Sequence, residues 1–260
     1  MQLYVGTSGY SYKEWKGSFY PEGLPDKDML HYYGERLNSV EINNTFYRIP
    51  NEKTVLNWKE QTTSSFIFSL KFPRKITHFK MLINSEEETA VFLKRASLLD
   101  KKLGPLLIQF PHNFSEEKLQ NLKDFLENLP KKYHYAVEVR NKKLLTDKLF
   151  SILKENNVAL VWADHPFMPL IEEVTADFLY IRWEGNRKEV NGTLGKTEID
   201  ISKIIKIWAN KITPHIDKKK IVFGYFSKYL SGNPTKDAIE LLNILRNRTP
   251  TKSRIQQVVF

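Results

Sequence analysis

Glu41, Glu138, Asp164 and Glu184 each stand at the polar end of a short apolar run, which places acids at the rim of a sheet rather than in its core. Two such carboxylates can work as acid and base, or as nucleophile and acid in glycoside hydrolysis, where their separation decides the stereochemical outcome. Glu138 and Asp164 are the better pair for that work, and Glu41 is the third catalytic candidate. Lys71, Arg140 and Arg182 hold equivalent positions, with Arg74 just beyond. Arg140 follows Glu138 by two residues, so both share a strand face, and this suits a clamp for a substrate anion. The competing reading is a polar plug in which Lys71, Arg140 and Arg182 neutralise the acids one for one, because buried charges must be paired.

Around these charges, Asn43, Thr45, His78, Gln109 and Tyr225 carry the polar groups that would shape a pocket. Aromatic residues crowd the first two loops. Tyr10, Tyr12 and Trp15 are the ligand candidates, suited to stacking on a base or sugar, while Phe19, Tyr20 and Phe46 read as packing. His78, His112 and His165 follow runs that end near Glu41, Glu138 and Asp164, so a His and carboxylate metal site is the one cofactor chemistry open to this chain. No His pair has short ligand spacing, and with Cys 0 no thiolate ligand exists, so neither a metal nor a cofactor is expected. The segment Asn191 to Thr197 resembles the end of a phosphate loop but has Val190 where the first Gly should stand. Ser231, Gly232 and Asn233, ahead of the last helix, suit a phosphate site or ordinary turn and cap chemistry.

Eight runs must position these groups: Leu3 to Thr7, Val40 to Asn43, Phe66 to Phe72, Leu106 to Phe110, Tyr135 to Arg140, Ala159 to Asp164, Leu179 to Glu184 and Ile221 to Ser227. Strand side chains alternate faces, so Val40 and Ile42 share one face and Glu41 and Asn43 the other. The same parity assigns Lys71, Gln109, Glu138, Arg140, Asp164, Arg182, Glu184, Tyr225 and Ser227 to the polar face. Helical segments separate most of the runs. Ser85 and Glu88 read as a capping box before the stripe Phe92, Ala96, Leu99 and Leu103. Ser115 precedes Leu119, Leu122, Leu126 and Leu129, and Asn233 with Pro234 opens a helix bearing Ala238, Leu241, Leu242 and Leu245. Weaker helices fit 26–37, 51–61, 146–155 and 198–211. Strand then helix, repeated about eight times, predicts an α/β fold with parallel strands: a single TIM-type (β/α) barrel spanning 1–260, with an open doubly wound sheet as the alternative. The connection after the sixth run has little helical signal, so that barrel helix is reduced or missing. Residues 249–260 form a C-terminal tail that the pattern leaves unplaced.

The chain has 260 residues, enough for one large core, with 41% hydrophobic and 27% charged residues, which excludes a disordered polymer. No apolar stretch approaches the roughly 20 residues that span a bilayer, and the N-terminus lacks a signal pattern, so a cytoplasmic protein with no membrane partner is expected. The net charge of +10 invites nucleic acid. Lys101, Lys102, Lys131, Lys132 and Lys218 to Lys220 precede strands, however, and belong to the face opposite the mouth. Arg74, Lys75, Lys80, Lys142, Lys143, Arg187, Lys188 and Lys228 follow strands and would surround it. Nothing in the pattern indicates subunit number.

The segments GTSGYSYKEWKGSFYP, SVEINNTFYRIP, FSLKFPRKITH, LGPLLIQFP and YAVEVRN, in this order and spacing, resemble the YecE-like domain-of-unknown-function family over nearly the whole chain. The resemblance implies a TIM-type barrel of unestablished activity. Its motif residues fall on Gly6, Thr7, Ser8, Gly9, Trp15, Tyr20, Pro21, Glu41, Asn43, Thr45, Phe46, Tyr47, Lys71, Thr77, His78, Gln109, Pro111, Glu138, Arg140 and Asp164. The family tends to show Arg, an apolar residue, His and Gly after its seventh strand, whereas Arg182, Trp183, Glu184 and Gly185 stand here. After the eighth, Phe226, Ser227 and Lys228 replace the usual Asn pair. Roles that need that His or those Asn residues are therefore not carried over.

Together these readings describe an enzyme, hydrolytic or acid/base, acting on a small anionic, phosphorylated or sugar-containing substrate. Glu138 and Asp164 would be acid and base, with Lys71, Arg74, Arg140 and Arg182 holding the anion. The alternative is a non-catalytic protein that grips single-stranded nucleic acid at the same mouth, and a fully paired scaffold is the third reading.

Overall fold

The computed structural model describes residues 2–247, and the tail at 249–260 lies outside the described residues. Eight parallel strands close into a barrel in chain order: β1 (Leu3–Ser8), β2 (Ser39–Ile42), β3 (Ile67–Lys71), β4 (Leu103–Gln109), β5 (Tyr135–Glu138), β6 (Ala159–Asp164), β7 (Phe178–Trp183) and β8 (Ile221–Phe226), with β8 pairing back to β1. Closure is chemically reasonable because both faces of these strands are apolar over most of their length, and a parallel sheet must be covered on both. The outer face carries Val40, Phe68, Leu70, Ile108, Val137, Leu160, Trp162 and Ile181, which merge with the helices in one core. The inner face holds Leu107, Ala136, Val161, Tyr180, Phe223 and Tyr225.

The helices are α1 (Met29–Gly34), α2 (Glu52–Glu60), α3 (Glu86–Ala96), α4 (Leu119–Asn128), α5 (Asp147–Glu155), α6 (Ser202–Asp217), the single turn α7 (Lys228–Ser231) and α8 (Pro234–Arg246). Leu119, Leu122 and Leu126 of α4 are buried, as the helical spacing of its leucines requires. Asn233 caps α8 by accepting from the Lys236 amide at 3.2 Å, with Pro234 in the first turn. The capping box read from Ser85 and Glu88 does not form. The Ser85 hydroxyl donates back to Leu82 O at 2.9 Å, and Glu88 instead binds Lys75 and Lys80 at 2.8 Å each.

No helix lies between β6 and β7. The connecting chain takes its place on the outside of β6: the Thr175 hydroxyl donates to Val158 O and accepts from the Leu160 amide, and the Trp162 indole donates to Glu173 O. Leu170, Ile171 and Val174 supply the apolar cover that a helix would have given. Lysines of the opposite face cap chain ends. Lys102 donates to Lys59 O and Thr62 O, Lys131 to Leu126 O, and Lys220 to Ala176 O. Among the described residues no helix is long and apolar enough to cross a membrane.

Candidate active site

The inner face becomes polar in steps toward the strand C-termini. In the middle layer, the Tyr225 hydroxyl lies 2.8 Å from both Ser39 Oγ and Ser69 Oγ. One layer up stand Glu41, Lys71, Gln109, Glu138 and Arg182, all buried. Arg182 organises this layer. Its Nε and Nη2 donate to the two oxygens of Glu41, each at 2.9 Å, in the forked geometry a guanidinium favours, and its Nη1 donates to Glu138 Oε2 at 2.6 Å. Glu41 also accepts from the Tyr180 hydroxyl at 2.8 Å, Asn43 Nδ2 at 2.9 Å and Ser8 Oγ at 3.1 Å. Nearer solvent, Arg140 pairs with Glu138 and, at 3.1 Å, with Glu184, which also pairs with Arg182.

Burial by itself would raise the pKa of Glu41, but the charge and hydrogen bonds of Arg182, with Tyr180 and Asn43 added, hold it below the usual carboxylate range. The same contest at Glu138, with Arg182 first, then Arg140 and Lys71 opposing burial, leaves it lowered to about 2. Both acids are therefore ionised at neutral pH. Neither holds a proton to give to a leaving group, so the pair lacks the raised acid that glycoside hydrolysis uses.

Lys71 differs from the other two cations. Its Nζ donates to Gln109 Oε1 at 2.5 Å, while Gln109 Nε2 donates to Glu138 Oε1 at 3.0 Å. It lies 4.3 Å from the centre of the Phe46 ring, and no carboxylate among the described residues reaches ion-pair distance. Burial, then the charge of Arg182, lower its pKa to about 8, against the opposing pull of Glu138, Glu41 and Glu184. His78 meets the same Phe46 ring edge-on at 4.8 Å and has its Nδ1 2.9 Å from Thr77 Oγ1. Burial and the Lys71 charge push His78 down to about 4, so it is neutral at pH 7.

Of the residues singled out by sequence, Glu41, Asn43, Lys71, Gln109, Glu138, Arg140, Arg182 and Glu184 do come together. Asp164 does not. It pairs in register with Trp183, whereas Ala163 pairs with Arg182, so Asp164 lies on the helix side of the barrel and accepts from the Trp208 indole at 3.0 Å. Trp15 is also displaced from the ligand role. It is 2% exposed, packed among Tyr12, Phe19 and Tyr20. Tyr10 and Tyr12 are half-buried. The Tyr10 carbonyl accepts from the Tyr20 hydroxyl, and the Tyr12 hydroxyl donates to Ser8 O while Lys228 covers its ring at 4.9 Å. Thr45 is buried and ties the ends of β2 and β3 by donating to Ile42 O and Lys71 O. Tyr225 lies a layer below the charges. Arg74 is exposed at the rim, between the rings of Tyr47 and Phe79 at 5.5 and 5.4 Å.

The turn before α8 offers no phosphate cradle. Ser231 is buried and bonded to Asp237, its carbonyl accepts from the Glu198 and Ile199 amides, and a Cβ on Gly232 (φ +92°) would lie 2.4 Å from Lys196 O. Sequence reading passed over Tyr180, although parity with Arg182 places it under Glu41, and Ser8, although it sits in the first motif. It also set Phe46 aside as packing, whereas its ring forms the contact surface for Lys71 and His78. Among the described residues no group of three or more His, Asp or Glu side chains is placed to hold a metal ion. A groove of about 700 Å³ lined by Leu82, Leu93, Phe125 and Leu129 lies between α3 and α4, and none of Glu41, Lys71, Glu138, Arg140, Arg182 and Glu184 lines it.

Residues 4–257 match the family described as "Protein of unknown function DUF72". Over 139 residues the chain is 35% identical to UPF0759 protein YecE of Escherichia coli K12, a match covering 54% of this chain and 48% of that protein, so it spans about half the length of this relative. The fold is shared with a DUF72 family protein of Thermotoga maritima (TM-score 0.76, 24% identity, 95% of this chain and all of the other). It is shared also with one of Enterococcus faecalis (0.73, 22%, 95% and 96%). A methyltransferase from Methanosarcina mazei is more distant, at TM-score 0.51 and 8% identity over 95% and 94% of the two chains, a likeness of fold alone. The chain belongs to the DUF72 family of proteins of unknown function.

Proposed function

We propose that this protein is an acid/base enzyme acting on a small anionic, sugar-containing molecule at the C-terminal mouth of its barrel. The observation that carries this reading is the incomplete pairing of the mouth. A closed plug would match every cation to an acid and every acceptor to a donor. Arg140 and Arg182 are matched, but among the described residues Lys71 has no acid, only the neutral amide of Gln109 and the Phe46 ring, and Asn43 Oδ1 is buried without a donor. These are the groups a ligand would satisfy, Lys71 with an anion or proton and Asn43 with a hydroxyl. The ionised Glu41 and Glu138 would accept from further hydroxyls, and Arg74 would meet the anion at the rim. Because both buried acids are held ionised and Asp164 faces the helices, the proton-transferring group in this reading is Lys71.

The test is thermal stabilisation by a panel of sugar phosphates, uronates and nucleoside monophosphates, with Lys71→Met and Arg74→Ala beside the parent chain. A ligand at 100 times its Kd stabilises by about 2.7 kcal/mol. The reading expects at least one member to raise the melting temperature of the parent and not of Lys71→Met. It fails if no member does so, or if the variants respond equally. Single-stranded nucleic acid is favoured by one feature: Tyr47 and Phe79, each 69% exposed, flank Arg74 as rings do on a base-stacking surface. Binding that weakens steeply with salt and with Arg74→Ala would support that reading instead.

A further inference from the structure

We infer that Lys71 is a carbonyl-capturing amine, forming an imine with a small anionic aldehyde or ketone that enters the mouth. This rests on the mouth being a ligand site, as proposed above, and names the substrate class it would take.

The inference starts from how differently this chain treats its lysines. On the surface some are ion-paired, as Lys75 and Lys80 are to Glu88, Lys154 to Glu173 and Lys211 to Glu172, some cap carbonyls, as Lys102 and Lys131 do, and others such as Lys53 and Lys101 stand exposed to solvent. Lys71 is 9% exposed, in a layer with two ionised acids, yet the acids are taken by Arg182 and Arg140. A guanidinium stays charged in any protein environment, whereas an ammonium gives up its proton when burial makes the charge costly. The layer therefore assigns its permanent charge to the arginines and leaves the group able to lose its proton at Lys71. Gln109 fixes the position of the amine without holding it as a cation, since an amide oxygen accepts from ammonium and amine alike. With its pKa at about 8, roughly a tenth of the side chain is free amine at pH 7, against about 0.04% for an unperturbed lysine near 10.4. Desolvation in a pocket is a recognised way of activating a lysine nucleophile.

The step balances without a redox partner. The nitrogen lone pair forms a C–N bond to the carbonyl carbon, the carbonyl oxygen leaves as water with the two amine protons, and the resulting imine takes one proton from solvent to become the iminium. The charged groups that set the titration of Lys71 are Arg182 from β7, Glu138 from β5, Glu41 from β2 and Glu184 from the loop after β7, and His78 beyond β3 feels the Lys71 charge in turn.

The full chain is incubated at pH 7.5 with dihydroxyacetone phosphate, glyceraldehyde 3-phosphate or glyoxylate, with sodium cyanoborohydride to reduce any imine, and adducts are mapped by peptide mass spectrometry. Lys71 should be modified at least tenfold faster than exposed lysines such as Lys53 and Lys101, with a rate that rises to a midpoint near pH 8. Glu138→Gln should move that midpoint lower, because it removes a charge that favours the ammonium, an effect a purely structural lysine would not produce. Labelling spread over the surface with Lys71 no faster overturns the inference. Melting measured with the same probes and no reductant separates the two failures. Stabilisation of the parent chain without Lys71 labelling sinks the imine and keeps the ligand site, and neither stabilisation nor labelling sinks both.

Discussion

Among the described residues, replacing Arg182 with Met removes the one cation that pairs with Glu41 and the first of two that pair with Glu138. Glu41 is 0% exposed, so the variant leaves a carboxylate without its ion-pair partner inside the barrel. Breaking a buried pair in this way costs about 3 to 5 kcal/mol, because the abandoned charge keeps its desolvation penalty and loses the attraction that offset it. At this chain length each kcal/mol lowers Tm by roughly 2 to 4 °C, so a fall of roughly 6 to 20 °C is expected. The pH dependence is the sharper signature. In the parent, Glu41 and Glu138 have folded pKa values below their unfolded ones. Their contribution is therefore complete above the unfolded value and is lost only as pH falls toward about 2 for Glu138, so it is flat from pH 5 to 8. In Arg182→Met the largest influences opposing the burial of Glu41 are gone, leaving the hydrogen bonds of Tyr180 and Asn43, and its pKa rises above the unfolded value. The native state then binds more protons than the unfolded one, and stability falls as pH climbs from 5 to 8. Urea titrations at pH 5, 6.5 and 8 measure this, followed by fluorescence of Trp162 and Trp183, both buried in the barrel wall. Glu41→Gln with Arg182→Met should recover most of the loss and return the slope to that of the parent. A loss under about 1 kcal/mol, or a slope in the single variant no steeper than the parent's, would show that Arg182 does not hold the mouth together.

Two further outcomes follow from the same reasoning. Asp237 is buried against Ser231, and burial raises its pKa to about 7, so its folded value exceeds the unfolded one and its ionisation destabilises the protein as pH rises from about 4 to 7. Asp237→Asn should therefore gain on the parent by about 2 to 3 kcal/mol between pH 5 and pH 8 in urea titrations, and equal slopes for the two proteins would contradict this. Gly224→Ala would place a Cβ 2.6 Å from the Trp183 ring, which is stacked on Phe226 at 4.0 Å. Overpacking there should cost about 1 to 3 kcal/mol and change the Trp183 emission, and an unchanged Tm would count against it.

Strand positions were legible because each run is apolar on its core-facing parity and bounded by polar residues. Helices were legible where a stripe such as Leu119, Leu122 and Leu126 is uninterrupted. Asp164 was misread because β6 is apolar on both parities, at Leu160 and Trp162 as well as Ala159 and Val161, so a polar residue at its end does not reveal its face. Trp15 was misread because an aromatic in a loop looks the same whether it meets a ligand or the rings of Phe19 and Tyr20. The Ser85 cap failed for a similar reason: spacing permits the Glu88 contact, but Lys75 and Lys80 compete for the same carboxylate and carry full charges.

What the sequence determined alone was the alternation that puts Glu41, Lys71, Gln109, Glu138 and Arg182 on one face, and the presence of both acids and cations at one end of the barrel. Alternation is a property of the local backbone, with a period of two, and needs no partner strand. Only the closed barrel decided which acid meets which cation. Glu41 and Arg182 are 141 residues apart in the chain, and their pairing depends on the register of strands that no local pattern encodes. The same closure gave the carboxylates to the arginines and left Lys71 with an amide: the planar fork of Arg182 binds Glu41 through two donors and reaches Glu138 with a third.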